Sequence, residues 1–416
     1  MITKTEFTHY LSRFQRELDQ ILGYWLKFSP ERSGEGFYPA VNLQNQPVLT
    51  AHKSCVLNAR ILWTFSAAYM HRPAKELGQM ARRAYHVVTN HFRDPELGGY
   101  YMELDAENQV VNDIKHTYAQ AFVLYALCKY HESDPSGGIV HEIRDYFSFL
   151  EEKTKDPERP GYLEAFTRDW QVLGSNRMAD GDEPRSMNTH LHILEAYAAL
   201  YSVWQGDLVR ERLTELIRLF MDRIIREDGH LGIFFDESFT ETAESRSFCS
   251  FGHDIEASWL LWEAAEILGD KGILSEIKPL VIRMTGAVLR SGVDRSGGLF
   301  LESMRFGSHI RTNKHWWPQA ETLVGFMNAF QLTGDEKYWD VVKETWEFID
   351  RHVIDHEGGE WFTKVNRLGI PFLEEPVDDP SPYYRNDWKI DPWKSPYHNG
   401  RAMMELVRRI GKVQAR

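Results

Sequence analysis

The chain has 416 residues, of which 43% are hydrophobic and 26% charged, the balance of a globular protein rather than a disordered one. Its net charge of −13 excludes the basic face that a nucleic-acid partner would require. Cys55, Cys128 and Cys249 are too few and too scattered for a disulfide framework and suit free thiols in a reducing compartment.

Residues 1–22 alternate apolar and charged side chains and lack the apolar core of a signal peptide. No window approaches the roughly twenty apolar residues of a membrane span, so the sequence predicts a cytoplasmic protein with no membrane partner. Further along, six short segments join glycine to aromatic or large apolar residues, beginning at Gly36, Gly99, Gly161, Gly232, Gly298 and Gly359. Each reads as a turn followed by a short strand, and their recurrence marks a repeat architecture. Two kinds of helix fill the intervals. Helices predicted near 54–70, 116–130, 189–204, 254–268, 317–332 and 397–407 are apolar nearly all round and must be buried. Those near 138–152, 206–226, 271–291 and 337–353 are amphipathic; in the third, Ile273, Ile277, Leu280, Val281, Met284 and Val288 form one stripe. This alternation predicts an all-α (α/α)6 barrel of six inner and six outer helices. An open solenoid also repeats helix pairs, but it would not bury every second helix so completely. No Pro/Gly/Ser-rich linker interrupts the pattern, so residues 1–416 read as a single domain.

Polar residues out of place on buried helices cluster at the inner-helix starts: Arg60, Tyr118, Asn188 to His192, His253 with Glu256, His315 with Trp316 and Trp317, and Trp393 with His398. In a closed barrel these starts share one end, and a pocket requires such convergence. Singly, each has a structural reading: an ion pair for Arg60, core packing for Tyr118 and the tryptophans. His190 reads as structural, because its ring and that of His192 lie about 200° apart on a helix. Asn188 and His192 share a face, as do His253 and Glu256. Structural roles alone do not explain three histidines at one level of the barrel. Zinc-site, serine-hydrolase, P-loop and Rossmann signatures are absent, so no metal is expected.

The stretches Leu57 to Trp63, Asn188 to His192, Gly252 to Trp259, Trp316 to Glu321 and Pro396 to Arg401 resemble the N-acylglucosamine 2-epimerase superfamily, and within it most the cellobiose 2-epimerases. The resemblance covers almost the whole chain in order. It implies an (α/α)6 barrel and cofactor-free inversion at C2 of an aldose, for the cellobiose branch the reducing-end glucose of a β-1,4 disaccharide. It implies that His253 and His398 remove and return the C2 proton and that His192 helps to open the ring. Arg60, Tyr118, Asn188 and Glu256 would grip hydroxyls, with Trp316 and Trp393 as aromatic walls. The chemistry agrees: a proton beside an aldehyde is acidic only in the open chain, and histidine, with a reference pKa of about 6.5, can take and give it at neutral pH. The implied partner is a small sugar, and monomer and homodimer both stay open.

The sequence departs from the cellobiose pattern in two places. The segment before Gly252 is extended and carries Phe239 and Phe251 where Trp and Tyr are expected, and Glu374 to Trp388, ahead of His398, is also extended. Both are expected to flank the pocket mouth and crowd a second sugar, which makes a mannose 2-epimerase acting on free mannose and glucose the alternative. An inverting glycoside hydrolase would need two carboxylates roughly 6.5–9.5 Å apart, with Asp182, Asp236, Glu256 and Glu321 available. A non-catalytic sugar sensor is the remaining reading.

Overall fold

A computed structural model of the chain describes residues 2–32, 34, 36–175, 183–374 and 385–414. In chain order its helices are α1 (Lys4–Phe28), α2 (Cys55–His71), α3 (Lys75–Val87), α4 (Thr117–Ser133), α5 (Val140–Thr154), α6 (Met187–Val203), α7 (Asp207–Leu219), the short α8 (Ala243–Arg246), α9 (Phe251–Leu268), α10 (Lys271–Ser291), α11 (Trp316–Thr333), α12 (Glu336–Phe348) and α13 (Tyr397–Gln414). The helices expected to be apolar all round are α2, α4, α6, α9, α11 and α13. Each packs on the next, and α13 packs back on α2, so the ring closes.

The outer ring is α3, α5, α7, α10, α12 and α1. Helix α1 belongs with α13, its sequence-remote partner, and also locks onto the α12 region. Trp339 Nε1 donates to Glu6 Oε1 at 2.8 Å, and Trp361 Nε1 donates to Glu17 Oε1 at 2.7 Å. The expected (α/α)6 barrel is therefore present, with six inner and six outer helices among the described residues. None of these helices is long and apolar enough to cross a membrane.

Short strands explain why all inner helices start at one level. Each inner helix follows a strand of two or three residues, and that strand pairs antiparallel with the segment after an outer helix. Lys53–Ser54 pairs with Glu103–Leu104, Lys115–His116 with Ala165–Phe166, and Arg185–Ser186 with Phe234–Phe235. Cys249–Ser250 pairs with Glu302–Met304, Lys314–His315 with Lys364–Val365, and Trp388–Ile390 with Val41–Asn42. The six glycine-aromatic segments provide the return: bridges join Pro30 to Phe37, Arg93 to Tyr100, Lys155 to Tyr162, Ile225 to Leu231, Val293 to Leu299 and Ile354 to Trp361.

Charge ties the same rim in the opposite direction. Five of the six leading strands carry a buried cation that reaches back to an acid of the preceding repeat. Lys53 meets Glu31 at 2.6 Å, Lys115 meets Asp94 at 2.9 Å, Lys314 meets Asp294 at 3.0 Å and Lys389 meets Asp355 at 2.6 Å, while Arg185 pairs with Asp156. In the fourth strand Cys249 stands in this position. There Arg226, on the preceding turn, donates to Phe248 O at 3.0 Å and approaches Cys249 Sγ at 3.5 Å. Every inner-helix start is thus held on both sides, and a buried ion pair of this kind is strongly destabilising to break.

Candidate active site

The first two turns of α6 and the first turns of α9, α11 and α13 bring His192, His253, Trp317 and His398 together. The Trp317 ring lies with its centroid 4.8 Å from that of His253 and 5.6 Å from that of His398. Gly252 permits this: a Cβ there would stand 2.5 Å from Trp317 Cη2. Trp316, the neighbour singled out in the sequence, is buried with the Lys394 ammonium 5.9 Å from its ring centroid. Trp393 is half-buried, its ring 6.1 Å from that of Tyr118.

Each histidine of the site is gripped by Nδ1. His398 Nδ1 is 2.7 Å from Glu321 Oε1, His192 Nδ1 is 3.0 Å from Glu195 Oε2, and His253 Nδ1 is 2.7 Å from Ser250 Oγ. Among the described residues, the nitrogen left uncommitted in each ring is Nε2. Such a grip fixes both tautomer and ring orientation. Burial pushes the His253 and His398 pKa values down to about 3. Neighbouring histidine charge adds to this at His253, while Glu321 opposes it at His398. His192 is lowered by burial against the pull of Glu195. All three rings are neutral near pH 7, the form in which imidazole accepts a proton.

Beneath them lies a buried network centred on Arg401. Its Nη2 donates to Glu321 Oε1 at 2.7 Å and to Glu256 Oε1 at 2.9 Å, and its Nη1 donates to Glu195 Oε1. Tyr397 OH donates to the same Glu195 oxygen. Burial works to raise Glu321, but Arg401 and His398 hold it down at about 2. Burial and the Glu321 charge push Glu256 well up. The ligand atoms of His398, Glu256 and Glu321 lie within 4.8 Å of one another, a grouping that could hold a metal ion. Arg401 Nη2, however, already donates into both carboxylates. That spacing is also shorter than an inverting hydrolase requires.

Arg60 lies beside this network, its Nη2 donating to Tyr118 OH at 2.9 Å and Nη1 to Trp393 O at 3.1 Å. Its guanidinium carbon sits 4.4 Å from the Phe122 ring centroid and 5.2 Å from that of Tyr397. Tyr118 in turn meets the His192 ring edge-on at 5.0 Å. Buried atoms here that include Arg60 Nε and Asn188 Oδ1 have no hydrogen-bond partner among the described residues. Buried polar atoms are seldom left so, and both are suited to a hydroxyl-rich ligand.

His190 stands apart from this group, as expected. Its Nδ1 lies 2.8 Å from Ser186 O and its Nε2 accepts the Tyr162 N–H at 3.0 Å. Both nitrogens are therefore used by backbone. The Phe239 ring packs against it at 4.8 Å. Phe239 and Phe251 are both buried, Phe251 lying within reach of Gly292. Asp236 is a turn residue accepting the Ser238 and Thr240 N–H groups. Asp182 and most of the extended segment before His398 lie outside the described residues.

The sequence reading gave no role to Glu195, Tyr397 and Arg401, placed Trp317 in the cluster but assigned the aromatic wall to Trp316, and gave Glu321 a role only in the hydrolase alternative. A signal existed: Glu195 and Arg401 follow His192 and His398 by three residues, on the same helix faces, and charged side chains on buried helices need partners.

Residues 36–384 match the family described as N-acylglucosamine 2-epimerase (GlcNAc 2-epimerase). The chain is 39% identical to the cellobiose 2-epimerase of Bacteroides fragilis over 94% of its own length and 97% of that protein. It is 33% identical to the cellobiose 2-epimerase of Ruminococcus albus, covering 96% of this chain and 98% of that one. The solved structure of cellobiose 2-epimerase from Spirochaeta thermophila DSM 6192 superposes with a TM-score of 0.86 at 34% identity, covering 99% of each chain. With the family matched across most of its length, the chain belongs to the N-acylglucosamine 2-epimerase family and is a sugar 2-epimerase.

Proposed function

We propose that the chain inverts C2 of the reducing-end glucose of cellobiose, giving the mannose epimer without a cofactor, and that residues 1–416 act as one catalytic domain. The observation that carries this reading is the pair of neutral, Nδ1-anchored imidazoles of His253 and His398 against one indole ring. His192 assists ring opening, which moves a proton from the anomeric hydroxyl and delivers one to the ring oxygen. One of His253 and His398 then takes the C2 proton, leaving an enediolate. The other returns a proton to the opposite face, so the sugar ends with the same atoms and inverted C2.

The fixed positive charge of Arg60 and the Tyr118 hydroxyl stabilise the developing oxyanion. Asn188 and Glu256 bind hydroxyls. Trp317, with Trp316 and Trp393, supplies aromatic walls for the C–H faces of the sugar. Relatives named as cellobiose 2-epimerases, similar over nearly the whole chain, support the disaccharide.

Turnover of cellobiose and of mannose in D2O, followed by proton NMR, tests the reading. The epimer formed from cellobiose should carry deuterium at C2 with its glycosidic bond intact, because an imidazolium proton exchanges with water. Turnover of mannose alone would replace the disaccharide with the monosaccharide reading. Release of two monosaccharides would establish a hydrolase instead.

A further inference from the structure

Glu195 belongs to no part of the reaction just described, yet its carboxylate bridges α6 and α13. Its Oε2 faces His192 Nδ1 at 3.0 Å on α6. Its Oε1 accepts from Tyr397 and from Arg401 Nη1, both on α13. Tyr397 immediately precedes His398, and Arg401 carries Glu321, the partner of His398 Nδ1. The carboxylate is almost wholly buried, at 5% exposure, so its two oxygens have fixed and different tasks.

We infer that Glu195 is a positioning residue that sets the tautomer of His192, holding the proton on Nδ1 so that Nε2 faces the sugar as an acceptor. This rests on the ring-opening role given to His192 above. A carboxylate has no proton of its own to give, so its Oε2 accepts from Nδ1 and leaves the lone pair on Nε2. That lone pair is what the anomeric hydroxyl needs as a base when the pyranose opens. The carboxylate charge then stabilises the imidazolium formed, and the proton passes from Nε2 to the ring oxygen.

The arrangement makes Glu195→Gln an informative change. Tyr397 and Arg401 both donate to Oε1, so the amide oxygen must take that side. The amide NH2 then faces His192 Nδ1 and donates to it. Nδ1 becomes the acceptor and the ring proton moves to Nε2, the wrong nitrogen for a base. Arg401 keeps Glu321 and Glu256 as partners, so the substitution leaves the buried charge compensated.

Glu195→Gln is expected to fold normally by circular dichroism and to lose on the order of 10²-fold or more in kcat, with KM nearly unchanged. In sugar-free protein labelled with 15N-histidine, the His192 resonances, assigned by their loss in His192→Gln, should exchange their Nδ1 and Nε2 tautomer positions. The conservative variant Glu195→Asp keeps the charge and should keep the parental tautomer. A merely structural role predicts the reverse ranking, with the isosteric Gln better tolerated than Asp. Kinetics of Glu195→Gln within threefold of the parent, or lost activity with an unchanged His192 tautomer, would overturn the inference. If Glu195→Gln does not fold, a Glu195→Asp protein whose His192 carries its proton on Nε2 does the same. The NMR measurement involves no sugar, so a parent that ignores cellobiose strikes the proposed substrate and leaves the tautomer result to decide on Glu195.

Discussion

Glu321 holds His398 by Nδ1 at 2.7 Å and with its other oxygen accepts the Trp259 indole N–H at 2.9 Å. Together with the Arg401 donor, this leaves no oxygen of Glu321 without a donor facing it. An amide in the same place would have to turn its NH2 against one of these donors. Glu321→Gln should therefore lower kcat by on the order of 10²-fold, through a misdirected His398, and lower stability by about 1–3 kcal/mol. Steady-state kinetics and chemical denaturation read the two effects separately, and unchanged kcat would free His398 from dependence on this carboxylate.

His253 and His398 are assigned to opposite faces of the same carbon, and single replacements should expose that division. Neither His253→Asn nor His398→Asn should epimerise. Each should still exchange C2 hydrogen with D2O from one epimer and not from the other, and the two variants should favour different epimers. Proton NMR of cellobiose and of its mannose epimer, incubated with each variant, gives the answer. Equal exchange from both epimers in both variants would point to one base acting on a rotating intermediate.

Gly252 owes its place to the indole of Trp317. Adding a methyl by Gly252→Ala must displace the ring that lies against both histidines, since the contact would be 2.5 Å. Activity should fall at least tenfold or so, about 1.4 kcal/mol in transition-state terms, while the helical backbone is improved by the more helix-favouring residue. The Trp317 fluorescence environment, compared in the parent and the variant, checks that the ring has moved. A fully active Gly252→Ala enzyme would show that the indole position is irrelevant to turnover.

His190 should matter to stability and not to chemistry. Burial, partly offset by the Ser186 carbonyl, pushes its pKa down to about 3, against about 6.5 in the unfolded chain. A depressed folded pKa contributes stability above the unfolded value and loses it as pH falls toward the folded one. Replacing His190 with Gln should cost about 2 kcal/mol at pH 7, for the backbone bonds it makes. That deficit should shrink below pH 6.5 by up to about 1.4 kcal/mol per unit, because only the parent must keep an uncharged imidazole. Urea denaturation of both proteins at pH 7, 6 and 5 decides it; a deficit that grows on acidification would reverse the sign of the argument.

The barrel was legible in the sequence because its signal is a contrast. Helices apolar all round, such as α9, must sit inside helices with a single stripe, such as α10, and no other arrangement satisfies both. The histidines were legible because imidazoles at three inner-helix starts converge once the ring closes. The network beneath them was not, since Glu195 and Arg401 meet across 206 positions of chain, and no local spacing encodes that distance. The choice between Trp316 and Trp317 was also beyond reach, because adjacent residues on a helix point about 100° apart and only the rotation of α11 decides which ring meets His253. The partner of α13 was hidden for a related reason: α1 looks like any amphipathic helix, and its place follows from closure alone.

The cation tie at the rim is missing from one leading strand, and that strand introduces the helix bearing His253. Cys249 occupies the place of the lysine or arginine found in the other five, and the adjacent Ser250 has turned to holding the imidazole. In a circle of near-equivalent units, five seams share one kind of tie while the sixth is held differently, by Arg226 from the preceding turn. Such a sector is where new chemistry can arise by small steps: a side chain released from tying units together becomes available to a neighbour. Variation among descendants of this chain should accordingly gather around residues 226–254 faster than around the matching stretches of the other repeats.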